Sequence, residues 1–129
     1  MVAVDTNVLV RLLVRDDARQ AARAEAVFRK RDIWIAKTVV IEADWVLRKL
    51  YGSSREDAAQ ALSDIGGLPN VVFEDSPLVA QALAWTQRGL EFADALHLAS
   101  SGAASSFLTF DKKLAKRAVG AVSVPVECI

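Results

Sequence analysis

With a single cysteine, Cys128, the chain of 129 residues cannot form an intramolecular disulfide. It also lacks any apolar run approaching the ~18 residues that a membrane-crossing helix requires. At the N-terminus, no basic segment is followed by an apolar stretch and a small-residue cleavage site, so no secretory signal is read there. Together these absences lead to the expectation of a cytoplasmic protein whose one thiol lies idle near the chain end. Histidine is as scarce, with only His97. No GxxxxGK[ST] or GxGxxG phosphate cradle is present, and no serine sits in a GxSxG turn, which speaks against P-loop, dinucleotide and serine-hydrolase chemistry. Repeats, low-complexity segments and dividing linkers are missing too, so one domain over residues 1–129 is expected.

What is present is a folded, evenly charged chain. Hydrophobic residues make up 53% and charged residues 25%, a composition that excludes disorder. Lys and Arg number 16 and so do Asp and Glu, a balance that counts mildly against binding a polyanion over the whole surface. The pattern reads as short apolar runs alternating with helical periodicity. Strands are expected at Val2–Val4, Ile33–Ile35, Val71–Phe73, Phe107–Thr109 and Val122–Val126. Helices are expected over Asn7–Val14, Ala18–Arg31, Thr38–Tyr51, from the Ser54 cap to Gly66-Gly67, over Ser76–Arg88, Ala93–Ser101 and Asp111–Ala118. Such alternation implies parallel strand pairing, hence a three-layer α/β/α sandwich around a central, mainly parallel sheet.

Four acids stand out against this frame. Asp5 follows the first strand in Val4-Asp5-Thr6-Asn7, and Asp111 follows the fourth in Leu108-Thr109-Phe110-Asp111. Each precedes a helix, where an N-cap is worth ~1 kcal/mol, but capping and ligation are not exclusive. Asp94 falls in the first turn of its helix, where negative charge suits the macrodipole, with Glu91 three residues before and His97 three after. Glu42 has Thr38, Val39, Trp45 and Val46 as helical neighbours, none of them basic, and is read as a carboxylate in an apolar patch that needs a compensating cation. Asp44, by contrast, has Arg48 four residues on and reads as an ordinary surface pair. Ligand sites of parallel α/β sheets form outside the carboxyl ends of the strands. Clustered carboxylates there suit Mg²⁺ or Mn²⁺, and carboxylate-held metals are a standard device for phosphodiester hydrolysis. Taking these four from the 16 acids leaves 12 against 16 bases, a cationic surround. A zinc site at Asp94 and His97 is disfavoured because no second histidine and no nearby cysteine is available; His97 is expected to pack beside the site or hydrogen-bond an acid. A phosphatase using Asp5 as nucleophile would need a general-acid Asp where Asn7 stands.

Taken in order, Val-Asp-Thr-Asn, an isolated helical Glu, Ala-Asp-Ala-Leu-His-Leu-Ala and Leu-Thr-Phe-Asp resemble the PIN-domain proteins across essentially the whole chain. Among these, the sequence is most similar to the VapC toxins of type II toxin–antitoxin systems. The resemblance implies a Mg²⁺-dependent (or Mn²⁺-dependent) endoribonuclease with Asp5 and Asp94 as direct metal ligands. It further implies that Glu42 completes the site and orients water, that Asp111 acts through a second metal or bound water, and that Thr6, Asn7 and Thr109 support the pocket. A homodimer and a small cognate antitoxin are implied as partners. Leu9, Leu12, Leu13, Trp45 and Val46, apolar positions on two helices flanking the proposed pocket, are expected to offer that antitoxin an apolar groove. The competing reading is a catalytically silent PIN-like or receiver-like metal-binding module. A receiver would require a phosphoacceptor Asp after the third strand, where only Glu74-Asp75 is found. A flap-type DNA nuclease would need more chain than this.

Overall fold

Apolar stripes and helix stops divide the described residues, 1–120 and 124–129 of a computed structural model, into twelve short elements. They are β1 (Val2–Ala3), α1 (Thr6–Val14), α2 (Ala18–Lys30), β2 (Ile33–Ile35), α3 (Lys37–Lys49), α4 (Arg55–Gly66), β3 (Val71–Phe73), α5 (Ser76–Gln87), α6 (Phe92–Ala99), β4 (Phe107–Thr109), α7 (Lys112–Ala118) and β5 (Val126–Cys128). Two compact units arise, Met1–Ser76 and Pro77–Ile129. The expected Val122–Val126 strand begins outside the described residues, and the strand itself is β5, shifted toward the C-terminus. Helix α6 begins one residue earlier than its periodicity predicts and ends two residues sooner.

In the first unit, β1, β2 and β3 form one parallel sheet in that order. Val2 pairs with Ile33, and Ile33, Trp34 and Ile35 pair with Val71, Val72 and Phe73. Parallel neighbours need crossovers, and the helices supply them: α1 and α2 join β1 to β2, and α3 and α4 join β2 to β3. Leu9, Ile33, Ile35, Val40 and Leu62 are fully buried, so the core lies where one helix stripe or sheet face meets the next. Asp17 and Ser54 cap α2 and α4 through bonds to Gln20 N and Asp57 N. Helix α1 ends at Arg15 in the left-handed region (φ 60°), its amide donating to Arg11 O at 3.0 Å. Asn70 Nδ2 donates to the carbonyls of Phe28 (2.6 Å) and Arg31 (2.7 Å) at the end of α2, while its own carbonyl accepts from Ile33 N.

In the second unit, β4 and β5 form a parallel pair, Phe107 opposite Val126 and Thr109 opposite Cys128. Helix α7 packs on both strands and buries Leu114 and Ala118. Helix α6 is short and largely apolar, burying Phe92, Ala95, Leu96, Leu98 and Ala99 and turning Asp94 and His97 away from that face. Cys128 is free and exposed.

Candidate active site

Asp5 stands at the exit of β1 as the N-cap of α1, its Oδ1 accepting from Thr6 N at 2.8 Å and its carbonyl accepting from Val8 N and Leu9 N. The cap occupies one carboxylate oxygen, and Oδ2 accepts no hydrogen bond among the described residues. Thr6 is buried behind it, while Asn7 is exposed and lines a 300 Å³ cavity with Val8, Arg11, Gln20, Arg23, Ala24 and Val27.

Glu42 lies on α3, which packs on α1. Its surroundings correct the sequence reading: Glu42 is exposed, and no apolar patch desolvates it. The helical wheel goes wrong because Trp45 is 54% exposed and Val46 half-buried, so that face of α3 meets solvent. Asp44 is the buried acid of this helix, 6% exposed and 4.0 Å from Arg48. It is not the surface pair expected, and Asp44→Asn would test the packing of α3 rather than serve as a neutral control. A feature the sequence concealed is how α3 starts. Its N-cap, Ala36, has no side chain to offer, and Glu74 Oε1 from the end of β3 accepts from Lys37 N at 2.9 Å instead. Asp75, held at φ 48°, accepts from Lys37 Nζ at 2.6 Å, and this bond is the main cause that holds the Lys37 ammonium above its ordinary pKa. Two consecutive acids thus fix the helix that carries Glu42.

In the second unit, Asp111 leaves β4 and caps α7, with Oδ1 accepting from Lys113 N (2.9 Å) and Leu114 N (3.1 Å). Thr109 Oγ1 accepts from Asp111 N at 3.0 Å and so fixes the turn between them. As at Asp5, the second carboxylate oxygen accepts no hydrogen bond among the described residues. Asp94, half-buried in the first turn of α6, accepts none on either oxygen among those residues. Burial is the main cause that raises its pKa, the neighbouring charges of Asp111 and Glu91 push the same way, and only the exposed His97 opposes them. The structure therefore brings Asp94 and Asp111 within electrostatic reach and adds Glu91, whose part was visible only as its spacing from Asp94. His97 bears on the site through charge.

The donors fit a hard divalent cation in kind, since all four acids offer carboxylate oxygen and two of them, Asp5 and Asp111, are fixed by helix amides. A burial penalty on a carboxylate without hydrogen-bond donors, as at Asp94, is what a bound cation would relieve. Among the described residues, however, no three His, Cys, Asp or Glu side chains form a group able to hold a metal ion.

The apolar groove expected for a partner is divided. Leu9 is fully buried and unavailable. Leu12 and Leu13 line a groove of about 660 Å³ with Phe28, Ile65, Leu68 and Pro69, in which Trp45 and Val46 take no part.

A protein-family model described as PIN domain matches residues 2–120. The chain is a PIN-domain protein. Comparison with curated proteins and with solved structures finds no match. The PIN-domain match fits the parallel sheet of β1, β2 and β3 and an α/β sandwich of nuclease type, and it reaches into both compact units. Among the described residues, no helix of this PIN-domain chain is long and apolar enough to cross a membrane.

Proposed function

We propose that this PIN-domain protein is a Mg²⁺- or Mn²⁺-dependent endoribonuclease and the toxin of a toxin–antitoxin pair, with Asp5, Glu42, Asp94 and Asp111 as the acids that hold the cation. The observation that carries the reading is Asp94, a half-buried carboxyl that accepts no hydrogen bond among the described residues, raised by burial and by Asp111 and Glu91. An acid in that position is costly to the fold unless it serves a charge that arrives with the substrate or cofactor.

A cation held by these acids would supply a lowered pKa for its bound water and would offset negative charge developing on the phosphate. The chain's own part is positional. Asp5 and Asp111 each have one oxygen fixed by helix amides, so the other points in a set direction without further loss of rotamer freedom. Thr109 orders the Asp111 turn, and Glu74 and Asp75 seat the helix that bears Glu42, so these three are positioning residues. Asn7 lines a cavity together with Arg11 and Arg23, and an exposed amide beside two guanidinium groups suits a phosphate oxygen of the substrate.

A homodimer and a small antitoxin belong to the same proposal, the antitoxin laying apolar side chains along the Leu12 and Leu13 groove. Co-purification from the native operon checks that pairing. The nuclease itself is tested by incubating the purified protein with single-stranded RNA, with and without chelator. Cleavage should require Mg²⁺ or Mn²⁺ and leave 5′-phosphate and 3′-hydroxyl ends. Undiminished cleavage in chelator, or 2′,3′-cyclic phosphate products, would show a metal-free mechanism and refute the proposal.

A further inference from the structure

Phe110 is 82% exposed, more than any other large apolar side chain of the described residues. Its backbone is nevertheless pinned on both sides. Before it, Thr109 pairs with Cys128 and its carbonyl accepts from Ile129 N at 2.9 Å. After it, Asp111 is tied back to Thr109 Oγ1 and forward to the first amides of α7. A rigid turn thus presents an aromatic ring to solvent, one residue from an acid of the proposed site.

The element that follows decides what the ring is for. Helix α7 reads Lys-Lys-Leu-Ala-Lys-Arg-Ala, four cations and no acid in seven residues of a chain whose formal net charge is zero. Leu114 and Ala118 take the buried face, leaving Lys112, Lys113, Lys116 and Arg117 exposed. Lys112, Lys113 and Lys116 make no side-chain hydrogen bond or ion pair among the described residues, and Arg117 reaches only Gly89 O at 3.4 Å. An exposed aromatic face beside a row of free cations is the arrangement that takes single-stranded nucleic acid, bases on the ring and phosphates on the ammonium groups. A duplex keeps its base faces stacked and offers the ring nothing. A second copy of this chain meeting the surface with the same face would set α7 against α7, cation against cation.

Resting on the ribonuclease reading, we propose that Phe110 is a stacking platform for an unpaired base of the RNA substrate, with Lys112, Lys113 and Lys116 holding the adjoining phosphates. Base stacking at residue 110 sets the strand beside Asp111, and cleavage is directed to single-stranded segments and loops.

The test is binding of a labelled, unstructured oligoadenylate by fluorescence anisotropy, with Ca²⁺ in place of Mg²⁺ to hold the RNA intact. Phe110→Ala should weaken binding about tenfold and Phe110→Trp should restore or tighten it. On an oligonucleotide of abasic sites, wild type and Phe110→Ala should bind alike. Lys112→Gln with Lys116→Gln should flatten the salt dependence, a slope change that loss of stacking alone does not produce. Equal binding of oligoadenylate by wild type and Phe110→Ala overturns the inference, as does an equal loss on abasic RNA. Conversion of a dimer to a monomer by Phe110→Ala in sedimentation also overturns it, by assigning the ring to a contact between copies. Where RNA is still bound and cleaved, such a result removes the role of Phe110 alone; a wild type that neither binds nor cleaves RNA removes the ribonuclease reading with it.

Discussion

Asp94→Asn is expected to reduce RNA cleavage by about a hundredfold or more, because the proposed function makes Asp94 a ligand of the catalytic cation. The same change should leave the metal-free protein as stable as wild type or more so at neutral pH. Burial, Asp111 and Glu91 all disfavour the charged form of Asp94, so its pKa in the folded chain lies above the unfolded value. The folded state therefore holds the proton more tightly. Stability from this group is complete below the unfolded pKa and is lost as pH rises through the folded one. Asparagine carries no such penalty. Melting curves in chelator should place the variant at or above wild type at pH 7, with the difference closing on acidification. A variant that cleaves at the wild-type rate would remove Asp94 from the site, and one that melts well below wild type at pH 7 would show that its carboxylate supports the fold.

Gly66→Val should destabilise the protein by about 2 kcal/mol, the usual scale for forcing atoms into a packed core. A Cβ at residue 66 would run into Phe73 Cε2 and lie 2.8 Å from its Cζ. Phe73 is buried at the end of β3 and paired with Ile35, so its ring has little room to withdraw. The next residues are Glu74 and Asp75, which hold the start of α3. Displacing Phe73 is thus transmitted to the helix of Glu42, and activity should fall together with the urea midpoint. An unchanged midpoint would mean that the ring yields freely and that this junction is loosely packed.

Gly66 also marks how far a sequence can be read. As a helix stop it is plain, because a Gly-Gly pair ends a periodic apolar pattern. That the missing side chain makes room for Phe73 depends on β3 crossing α4, which no local pattern encodes. Caps divide in the same way. Ser54, Asp17 and Asp111 act on amides two or three residues away, and local spacing is sufficient to find Ser54 and Asp111. Glu74 acts on Lys37, 37 positions earlier, and only the parallel pairing of β2 with β3 brings them together. Strands β2, β3 and β4 are legible to the residue because short β-branched and aromatic runs sit between strong helix signals. The burial of individual acids is less legible. Glu42 and Asp44 are two residues apart on one helix, and the sequence reading exchanged their environments, because Arg48 beside Asp44 reads as solvent-side pairing. Which stripe of α3 is covered follows from where α1 and α4 lie against it.

The proposal that Asp5, Glu42, Asp94 and Asp111 each contribute to holding the cation is tested most directly by Mn²⁺ affinity. Calorimetric titration of the purified protein should show saturable binding in wild type, weakened at least about tenfold by Asp5→Asn and by Asp94→Asn. Glu42→Gln and Asp111→Asn should weaken it as well. Mn²⁺ binding that is absent in wild type, or unchanged in all four variants, would contradict the account.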